Sequence, residues 1–247
     1  SYTGPTQRGA AIGMDKLAFS GTMETAGIPS LPLHLVTDDL TLEEPGPFII
    51  KPRFGGSSIG IEVVEDLATA KALVKTQPLL RSGAVAQRYL SDAVDLNISV
   101  RTYPNTTLSA VERPLRPEDG GIYSYADKYL TGPEGMASAP RELPADLPPN
   151  IEGELRTIAD QVVQLVMVRS VARIDFLWNA DGLWVNEINT IPGSLSWYFW
   201  SHEGVPFARL LTDLIQEATE SPGARFQTDG ADGTALRDVG AISHKLA

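Results

Sequence analysis

The sequence has no cysteine and only 3 histidines among its 247 residues. The lack of cysteine excludes disulfide bonds, thiol nucleophiles and zinc–thiolate sites, and it fits a reducing compartment, so we expect a cytoplasmic protein. The longest apolar runs, at residues 165–168 and 197–200, are far shorter than the roughly 20 residues of a membrane-spanning helix. No charged-then-apolar leader is visible, and because the chain opens at Ser1 without a methionine we expect a piece of a longer protein.

Basic residues are scarce as well. Lysine and arginine total 20 against 31 aspartates and glutamates, which gives a net charge of -11. A protein that binds nucleic acid in bulk usually carries the opposite sign. An acidic chain still binds a phosphate ligand when a few cations are focused in one cleft. We therefore expect a small-molecule ligand and neither nucleic acid nor a membrane as a partner.

The sequence patterning predicts an α+β fold. Hydrophobic residues make up 43% of the chain and charged residues 21%, as in ordinary globular proteins. Helices are predicted at residues 10–26, 66–75 with Asp66 as the N-cap, 155–166 and 207–218. Short strands are predicted at residues 48–52, 59–64, 84–89, 95–101, 171–178 and 183–189. Residues 114–150 are rich in proline, glycine and polar residues and are predicted to form a long functional loop or lid.

The last two predicted strands flank the turn signal Asp181-Gly182 and form a β hairpin. A three-residue loop over residues 180–182, with Gly182 left-handed, would set Asn179 opposite Leu183. A loop of two or four residues would turn the acidic side chains of the two strands to opposite faces. The loop length therefore decides whether those side chains can meet.

In the three-residue register, Asp175 lies opposite Glu187 and Arg173 lies opposite Asn189, all on one face. Bare carboxylates opposed in this way, with Cβ atoms about 5 Å apart, destabilise a sheet. A divalent cation reverses that effect, and aspartate, glutamate and the asparagine carbonyl are hard oxygen ligands of the kind Mg²⁺ takes. A solvated polar face is the alternative and would suffice for one acid, but Asp175, Glu187 and Asn189 together favour a metal site.

A glycine–serine loop follows Lys51 and suits a phosphate group. Backbone N–H groups freed by glycine can cradle phosphate oxygens, with Ser57 or Ser58 adding a hydroxyl. Taken alone, the loop is better explained by a plain β-turn, and a single lysine such as Lys16, Lys51 or Lys128 is usually a solvated surface residue. Only their sum, together with further motifs, resembles a known family.

Six motifs follow one another along the chain: Met14-Asp15-Lys16, Ile49-Ile50-Lys51-Pro52, Gly56-Ser57-Ser58-Ile59-Gly60, residues 125–130, Arg173-Ile174-Asp175 and residues 186–193. Their order resembles that of the D-alanine–D-alanine ligases of the ATP-grasp superfamily, over roughly residues 9–218. The last motif and the pairing of Lys-Pro with Gly-Ser-Ser are the specific parts. The resemblance implies an α+β, ATP-grasp fold in which two α+β subdomains close on ATP.

The resemblance also implies a domain plan. Residues 1–30 would form a connecting helix region, 31–93 the central subdomain with a glycine-rich lid loop, and 94–218 the C-terminal subdomain with the metal site. Residues 219–247 are a tail of unknown role. The family's N-terminal substrate domain is absent from this sequence: either it was cleaved or left out, or a separate chain supplies it. Members of the family commonly form homodimers, and the sequence leaves the oligomeric state open.

The same resemblance assigns the nucleotide site. Lys16, Lys51 and Lys128 would hold the phosphates under a lid that includes Ser57. The residues assigned to the nucleotide are Lys16, Lys51, Ser57, Ser58, Gln87, Arg88, Tyr89, Leu90, Asp95, Lys128 and Leu177. Among them, the strand edge at 87–90 would bond adenine and Asp95 the ribose hydroxyls. Gln87 stands where the family has glutamate, and its amide oxygen would accept from the adenine amino group.

The implied chemistry is the ATP-dependent joining of a carboxylate to an amine through an acyl phosphate. Asp175, Glu187 and Asn189 would bind two Mg²⁺ ions, with Mn²⁺ as an alternative metal. The residues assigned to catalysis are Arg173, Ser57, Gly193 and Lys128, with Arg173 and the Gly193 N–H steadying an oxyanion. The residues assigned to the substrate pocket are Tyr129, Ser194 and Tyr198.

Tyr198 departs from the family pattern, because by count it takes the place of a serine that helps to hold the carboxylate of the second D-alanine. A bulky aromatic side chain there changes the size and polarity of the acceptor pocket. The simpler reading is that it belongs to the core. Two further functions remain open, a ligase of another ATP-grasp branch, such as the glutathione-synthetase-like or carboxylase-like enzymes, and a non-catalytic ATP-binding module. The intact set of Arg173, Asp175, Glu187 and Asn189 favours a ligase.

Overall fold

The computed structural model describes residues 1–115 and 140–220. In these ranges two antiparallel sheets are present. The first contains β1 (His34–Leu35), β2 (Phe48–Pro52), β3 (Glu62–Val64) and β4 (Ala84–Arg88), in the order β1-β4-β2-β3. The second contains β5 (Val94–Arg101), β6 (Thr107–Pro114), β7 (Arg141–Glu142), β8 (Val171–Asn179) and β9 (Gly182–Asn189), in the order β7-β6-β5-β8-β9.

Helices pack against these sheets and confirm the α+β class. They are α1 (Gln7–Met14), α2 (Lys16–Thr25), α3 (Leu67–Thr76), α4 (Pro149–Val166), α5 (Trp197–His202) and α6 (Phe207–Glu220). Short 3₁₀ turns lie at Pro78–Leu80 and Gly193–Ser196. Within residues 1–115 and 140–220, no helix has both the length and the apolar character that crossing a membrane requires.

The helix predicted over residues 10–26 is in fact two helices, α1 and α2. Asp15 adopts an extended conformation between them and forms a β-bridge with Phe54. Its carboxylate accepts hydrogen bonds from the backbone N–H groups of Leu17 and Ala18 and so caps α2. The break places Lys16 at the start of a helix, beside the glycine–serine loop.

The larger core lies between α4 and the five-stranded sheet. The apolar face of α4 contributes Leu155, Ile158, Ala159, Val162, Val163 and Val166. The sheet contributes the inward side chains Leu96, Ile98, Val100, Ile174 and Phe176. Apart from Val163, the buried positions of α4 are those that the 3.6-residue spacing predicts, whereas Leu165, which the spacing also predicts, is only partly buried. Hydrophobic burial accounts for the pairing of sheet and helix.

The segment predicted as one long loop, residues 114–150, contains regular structure at both described ends. β7 pairs with β6, and α4 begins at Pro149. The backbone N–H of Leu115 donates to the Pro140 carbonyl at 3.0 Å, which brings the two ends of the intervening segment together. β6 and β7 were not among the predicted strands. The proposed domain boundaries at residues 30, 93 and 218 stay predictions.

Candidate active site

The hairpin of β8 and β9 has a two-residue loop, Ala180 and Asp181, because Asn179 pairs with Gly182. The predicted three-residue loop, with Asn179 opposite Leu183, is therefore wrong. Gly182 also does not adopt the left-handed conformation that we predicted. With this loop alone, a regular ladder would have turned the acids to opposite faces.

A β-bulge restores the alignment of the acids. Phe176 pairs with Val185, and Asp175, which precedes Phe176 in β8, pairs with Glu187. Asn186, between Val185 and Glu187, is therefore an extra residue in β9. A bulge of this kind sets two residues of one strand against one of its partner. Glu187 consequently shares a face with Asp175, as predicted, although the geometry that achieves this is different.

The strand pairing aligns four polar side chains in a row across the five-stranded sheet. Glu112 of β6 pairs with Asn97 of β5, Asn97 with Asp175 of β8, and Asp175 with Glu187 of β9. Directly paired residues project from one face of a sheet. All four line one cleft, together with Arg173.

Arg173 donates two hydrogen bonds to the Asp175 carboxylate, from Nε to Oδ1 at 2.6 Å and from Nη2 to Oδ2 at 2.7 Å. Asn189, which pairs with Arg173, donates from Nδ2 to Asp175 at 3.0 Å and to Glu187 at 3.5 Å. Lys16 Nζ lies 4.0 Å from the Glu187 carboxylate. Burial opposes the charge on Arg173, but the Asp175 carboxylate outweighs it and raises the pKa of Arg173 well above its usual value.

These acids fit a magnesium ion. Asp175 and Glu187 supply carboxylate oxygens, and Asn189 supplies an amide oxygen after a half-turn of the amide group, whose N–H₂ now faces the acids. Among the described residues, no three His, Cys, Asp or Glu side chains come together as a metal site. A bound Mg²⁺ would therefore complete its shell with water and phosphate oxygens, as it commonly does. The metal assignment stays a prediction.

Lys51 brings a buried cation from the four-stranded sheet. Its residue is only 7% exposed, and its Nζ donates to Gln87 Oε1 at 2.8 Å and to Asn186 Oδ1 at 3.1 Å. Gln87 in turn donates from Nε2 to the Leu31 carbonyl at 3.4 Å. The Gln87 amide oxygen, which we expected to face adenine, thus accepts from the lysine. The contact with Asn186, the bulge residue, joins the two sheets.

The glycine–serine loop turns through left-handed backbone conformations, with φ of 119° at Gly55 and 58° at both Ser57 and Ser58. A non-glycine residue held in this region costs of order 1 kcal/mol or more and is found where function requires it. Lys16 Nζ donates to the Gly55 carbonyl at 2.7 Å. The loop and both lysines, Lys16 and Lys51, therefore line the same cleft.

The predicted nucleotide residues within the described ranges are brought together in that cleft: Lys16, Lys51, Ser57, Ser58, Gln87, Arg88, Tyr89, Leu90, Asp95 and Leu177. The cleft has a volume of about 1250 Å³, part of it open to solvent, and both sheets contribute to it. Asp95 and Leu177 are direct partners in the β5–β8 ladder. That these residues bind a nucleotide stays a prediction.

Other predicted residues have different outcomes. Lys128 and Tyr129 lie outside the described residues. Gly193 lines an adjoining part of the cleft with Glu187 and Asn189, whereas Ser194 is exposed, in a turn of left-handed residues.

Tyr198 lines the cleft and meets two residues that the sequence analysis did not single out. Its hydroxyl donates to the Glu112 carboxylate at 3.3 Å, and the Arg141 guanidinium carbon lies 4.0 Å from the centre of its ring. Burial raises the pKa of the Tyr198 phenol well above its usual value, and Glu112 adds to the shift. The sequence of β6 does not alternate strictly between polar and apolar residues, so it gives no clear signal for Glu112.

Comparison with solved structures identifies the fold as ATP-grasp. D-alanyl-alanine synthetase A from Vibrio cholerae aligns with a TM-score of 0.71 at 21% identity, over 87% of this chain and 68% of that one. A D-alanine–D-alanine ligase from Bacillus anthracis, solved in complex with ATP, aligns with a TM-score of 0.68 at 18% identity, over 87% and 69%.

Sequence comparison goes one step further. A family model described as D-ala D-ala ligase C-terminus matches residues 23–216. The D-alanine–D-alanine ligase of Solibacter usitatus is 31% identical, over 89% of this chain and 69% of that protein. That of Thermosipho africanus is 30% identical over 71% of this chain, which spans about half (47%) of the length of that relative. The chain belongs to the D-alanine–D-alanine ligase family.

Proposed function

We propose that this cleft binds ATP with magnesium and joins a carboxylate to an amine, forming a peptide or amide bond. One observation carries the proposal: Lys51 from one sheet and Arg173, Asp175 and Glu187 from the other line a single cleft. A site for phosphates needs focused cations, and a site for magnesium needs paired acids. The relatives are named as ligases that join D-alanine to D-alanine, which supports the reaction class.

The nucleotide would span the two sheets. Adenine would lie along the strand end at 87–90, and Asp95 would take the ribose hydroxyls. Lys16 and Lys51 would neutralise the phosphates, with Lys128 as a further phosphate ligand. The hydroxyls and backbone N–H groups of the glycine–serine loop would cover them.

The reaction has two steps. A carboxylate oxygen of the first substrate attacks the γ-phosphorus of ATP, and ADP leaves. The amine of the second substrate then attacks the acyl-phosphate carbonyl; the C–N bond forms, the amine loses a proton and inorganic phosphate leaves. Magnesium, when bound, neutralises charge on the phosphates during transfer.

The protein contributes positioning and charge, and no covalent nucleophile is required. Arg173, held in place by Asp175, presents a permanently charged guanidinium beside the acids. Together with the Gly193 N–H it would stabilise the negative oxygen that develops on the attacked carbonyl.

The proposal is tested with the complete natural protein that carries this sequence, Mg²⁺-ATP, and a panel of D- and L-amino acids supplied singly and in pairs. We expect release of ADP in equal amount to a new dipeptide or amide detected by mass spectrometry. ADP release with D-alanine alone would define the strict D-alanine–D-alanine ligase. Nucleotide binding without ADP release in any mixture would contradict the ligase and leave an ATP-binding module.

A further inference from the structure

Arg53 connects the end of β2 to the start of α2. Its guanidinium donates two hydrogen bonds to the Asp15 carboxylate, from Nε to Oδ1 at 2.8 Å and from Nη2 to Oδ2 at 2.5 Å. Its backbone carbonyl accepts from the Lys16 N–H at 3.1 Å, and its backbone N–H donates to the Gly83 carbonyl at 3.0 Å. Three segments that are distant in the sequence therefore meet at Arg53.

The Asp15–Arg53 pair crosses the junction between the two sheets. Asp15 directly precedes α2, whose side chains Phe19 and Met23 belong to the larger core. Arg53 directly follows β2, whose side chain Ile50 belongs to a second apolar core within the four-stranded sheet. The two partners are thus attached to elements of different cores, and the pair holds one sheet against the other.

The pair also fixes two parts of the proposed phosphate site. Lys16 is the next residue after Asp15, and the glycine–serine loop continues from Arg53 through Phe54. Asp15 forms a β-bridge with Phe54, and Lys16 Nζ donates to the Gly55 carbonyl at 2.7 Å. Separation of Asp15 from Arg53 would therefore release the first residues of the loop and the lysine together.

Folding stability alone is a weak explanation for Arg53. The side chains of Arg53 and Asp15 are 30% and 14% exposed, and an ion pair that solvent reaches contributes only modestly to the free energy of unfolding. Asp15 caps α2 through the N–H groups of Leu17 and Ala18, which requires no arginine. A guanidinium that donates two bonds to one carboxylate adds a fixed relative orientation of the segments that carry the two groups.

We propose that Asp15 and Arg53 are positioning residues that hold the two sheets, Lys16 and the glycine–serine loop in the arrangement that binds the phosphates of ATP. This inference rests on the proposed function, of which it needs only the binding of nucleotide. Neither residue is among the described residues that line the cleft, so both act through Lys16 and the loop. Without the pair, the protein would adopt the binding arrangement only part of the time, and the apparent Kd would rise in inverse proportion to that fraction.

The experiment measures the Kd for Mg²⁺-ATP by isothermal titration calorimetry, in the complete natural protein and at a temperature where the variants are folded. We expect Arg53→Met and Asp15→Asn each to raise this Kd about five- to tenfold, as when the binding arrangement is populated about one time in five to ten. The double variant should raise it no further than the larger single effect, because both substitutions break the same contact. Arg53→Lys keeps the charge and one hydrogen bond, so it should recover part of the lost affinity.

Kinetics separate positioning from a general loss of structure. In steady-state ADP release, KM for ATP should rise with the Kd, while KM for the amino acids at saturating ATP should stay within about twofold of the wild-type value. Arg156→Met is the matched control, because Arg156 forms an ion pair with Glu152 within α4 and spans no junction. Its Kd for Mg²⁺-ATP should equal that of the wild type. Thermal midpoints identify the folded variants, and Asp15→Asn, which keeps the helix cap, covers the case in which Arg53→Met fails to fold.

The outcomes separate this inference from the ligase proposal. An unchanged Kd in folded Arg53→Met or Asp15→Asn, or effects of the two substitutions that add in the double variant, would overturn the role of the pair and leave the ligase in place. Weaker nucleotide binding in both variants, without ADP release by the wild type, would support the role of the pair and overturn the ligase. A wild-type protein that does not bind Mg²⁺-ATP would overturn both.

Discussion

At the scale of single residues, the acidic side chains of the cleft repel one another, and neighbouring basic side chains compensate for this repulsion. Asp175 and Glu187 lie directly opposite each other across the hairpin, where like charges repel. Arg173 and Lys16 offset this repulsion in the structure. Removal of one acid should therefore affect chemistry far more than folding.

Glu187→Gln tests this separation. The side chain keeps its size but loses the charge that a metal ion requires, so we expect magnesium-dependent ADP release to fall by at least about a hundredfold. The free energy of unfolding, from urea denaturation, should change by less than about 1 kcal/mol, because a repulsion is relieved at the same time. Glu152→Gln, on α4 away from the cleft, serves as the control, and full activity of Glu187→Gln would remove Glu187 from the site.

The Tyr198 phenol offers a spectroscopic test. Because burial and the Glu112 carboxylate both raise its pKa above the usual value of about 10, it should remain protonated where exposed tyrosines ionise. We expect the tyrosinate absorbance of the wild type and of Tyr198→Phe to coincide up to about pH 10.5. A deficit of one tyrosinate in the variant over that range would show that Tyr198 ionises normally.

At the scale of elements, the hairpin shows what a sequence pattern can and cannot specify. Alternation of side chains predicts β8 and β9 and the facing of Asp175 and Glu187. It does not reveal the bulge at Asn186, because a bulge in one strand and a shorter turn shift the register by compensating amounts. The predicted pairing of Asp175 with Glu187 is therefore correct, although the loop length from which it was predicted is wrong.

The break between α1 and α2 has a similar origin. Local pattern favours one helix through Asp15, but the bridge to Phe54 and the ion pair with Arg53 require an extended residue there. Both partners lie about forty residues away in the chain (positions 53 and 54), so periodicity within a short window cannot detect them. Tertiary contacts override local propensity at this point.

The Asp15–Arg53 pair makes stability depend on pH. The hydrogen bond from Arg53 lowers the pKa of Asp15 below 3.8, its ordinary value. A lowered carboxyl pKa gives stability that is complete above the unfolded pKa and is lost as the pH falls through the folded one. Asp15→Asn keeps the helix cap and removes the charge, so we expect a loss of about 1 kcal/mol at pH 7.

Urea denaturation at pH 7, 4 and 3 would follow that loss. The difference between Asp15→Asn and wild type should be largest at pH 7 and should shrink as the pH falls below about 4. Asp181→Asn, in the exposed hairpin turn, is the control. A difference that stays constant with pH would show that the Asp15 charge contributes nothing.

At the scale of the whole molecule, the sequence predicts the groups that each sheet brings to the cleft better than it predicts the contacts that join the two sheets. The motifs around Lys51 and Asp175 point to phosphate and metal, and apolar periodicity predicts the α4 core. Neither indicates that Asn186 and Lys51 join the sheets, nor that Arg141 reaches Tyr198, since these contacts link residues 135 and 57 positions apart. Long-range packing, rather than local pattern, decides such contacts.

A nucleotide that touches both sheets should stabilise the entire molecule. A ligand that binds only the folded state adds RT ln(1 + [L]/Kd), about 2.7 kcal/mol at a hundredfold excess over Kd. For a chain of this size we expect Mg²⁺-ATP to raise the thermal midpoint by roughly 5–10 °C. Lys51→Met should abolish most of this rise, because it removes from the junction of the sheets the buried cation that we propose binds phosphate. Lys75→Met, at a lysine whose side chain is 64% exposed, should retain it. An equal rise in both variants would mean that the nucleotide does not contact Lys51.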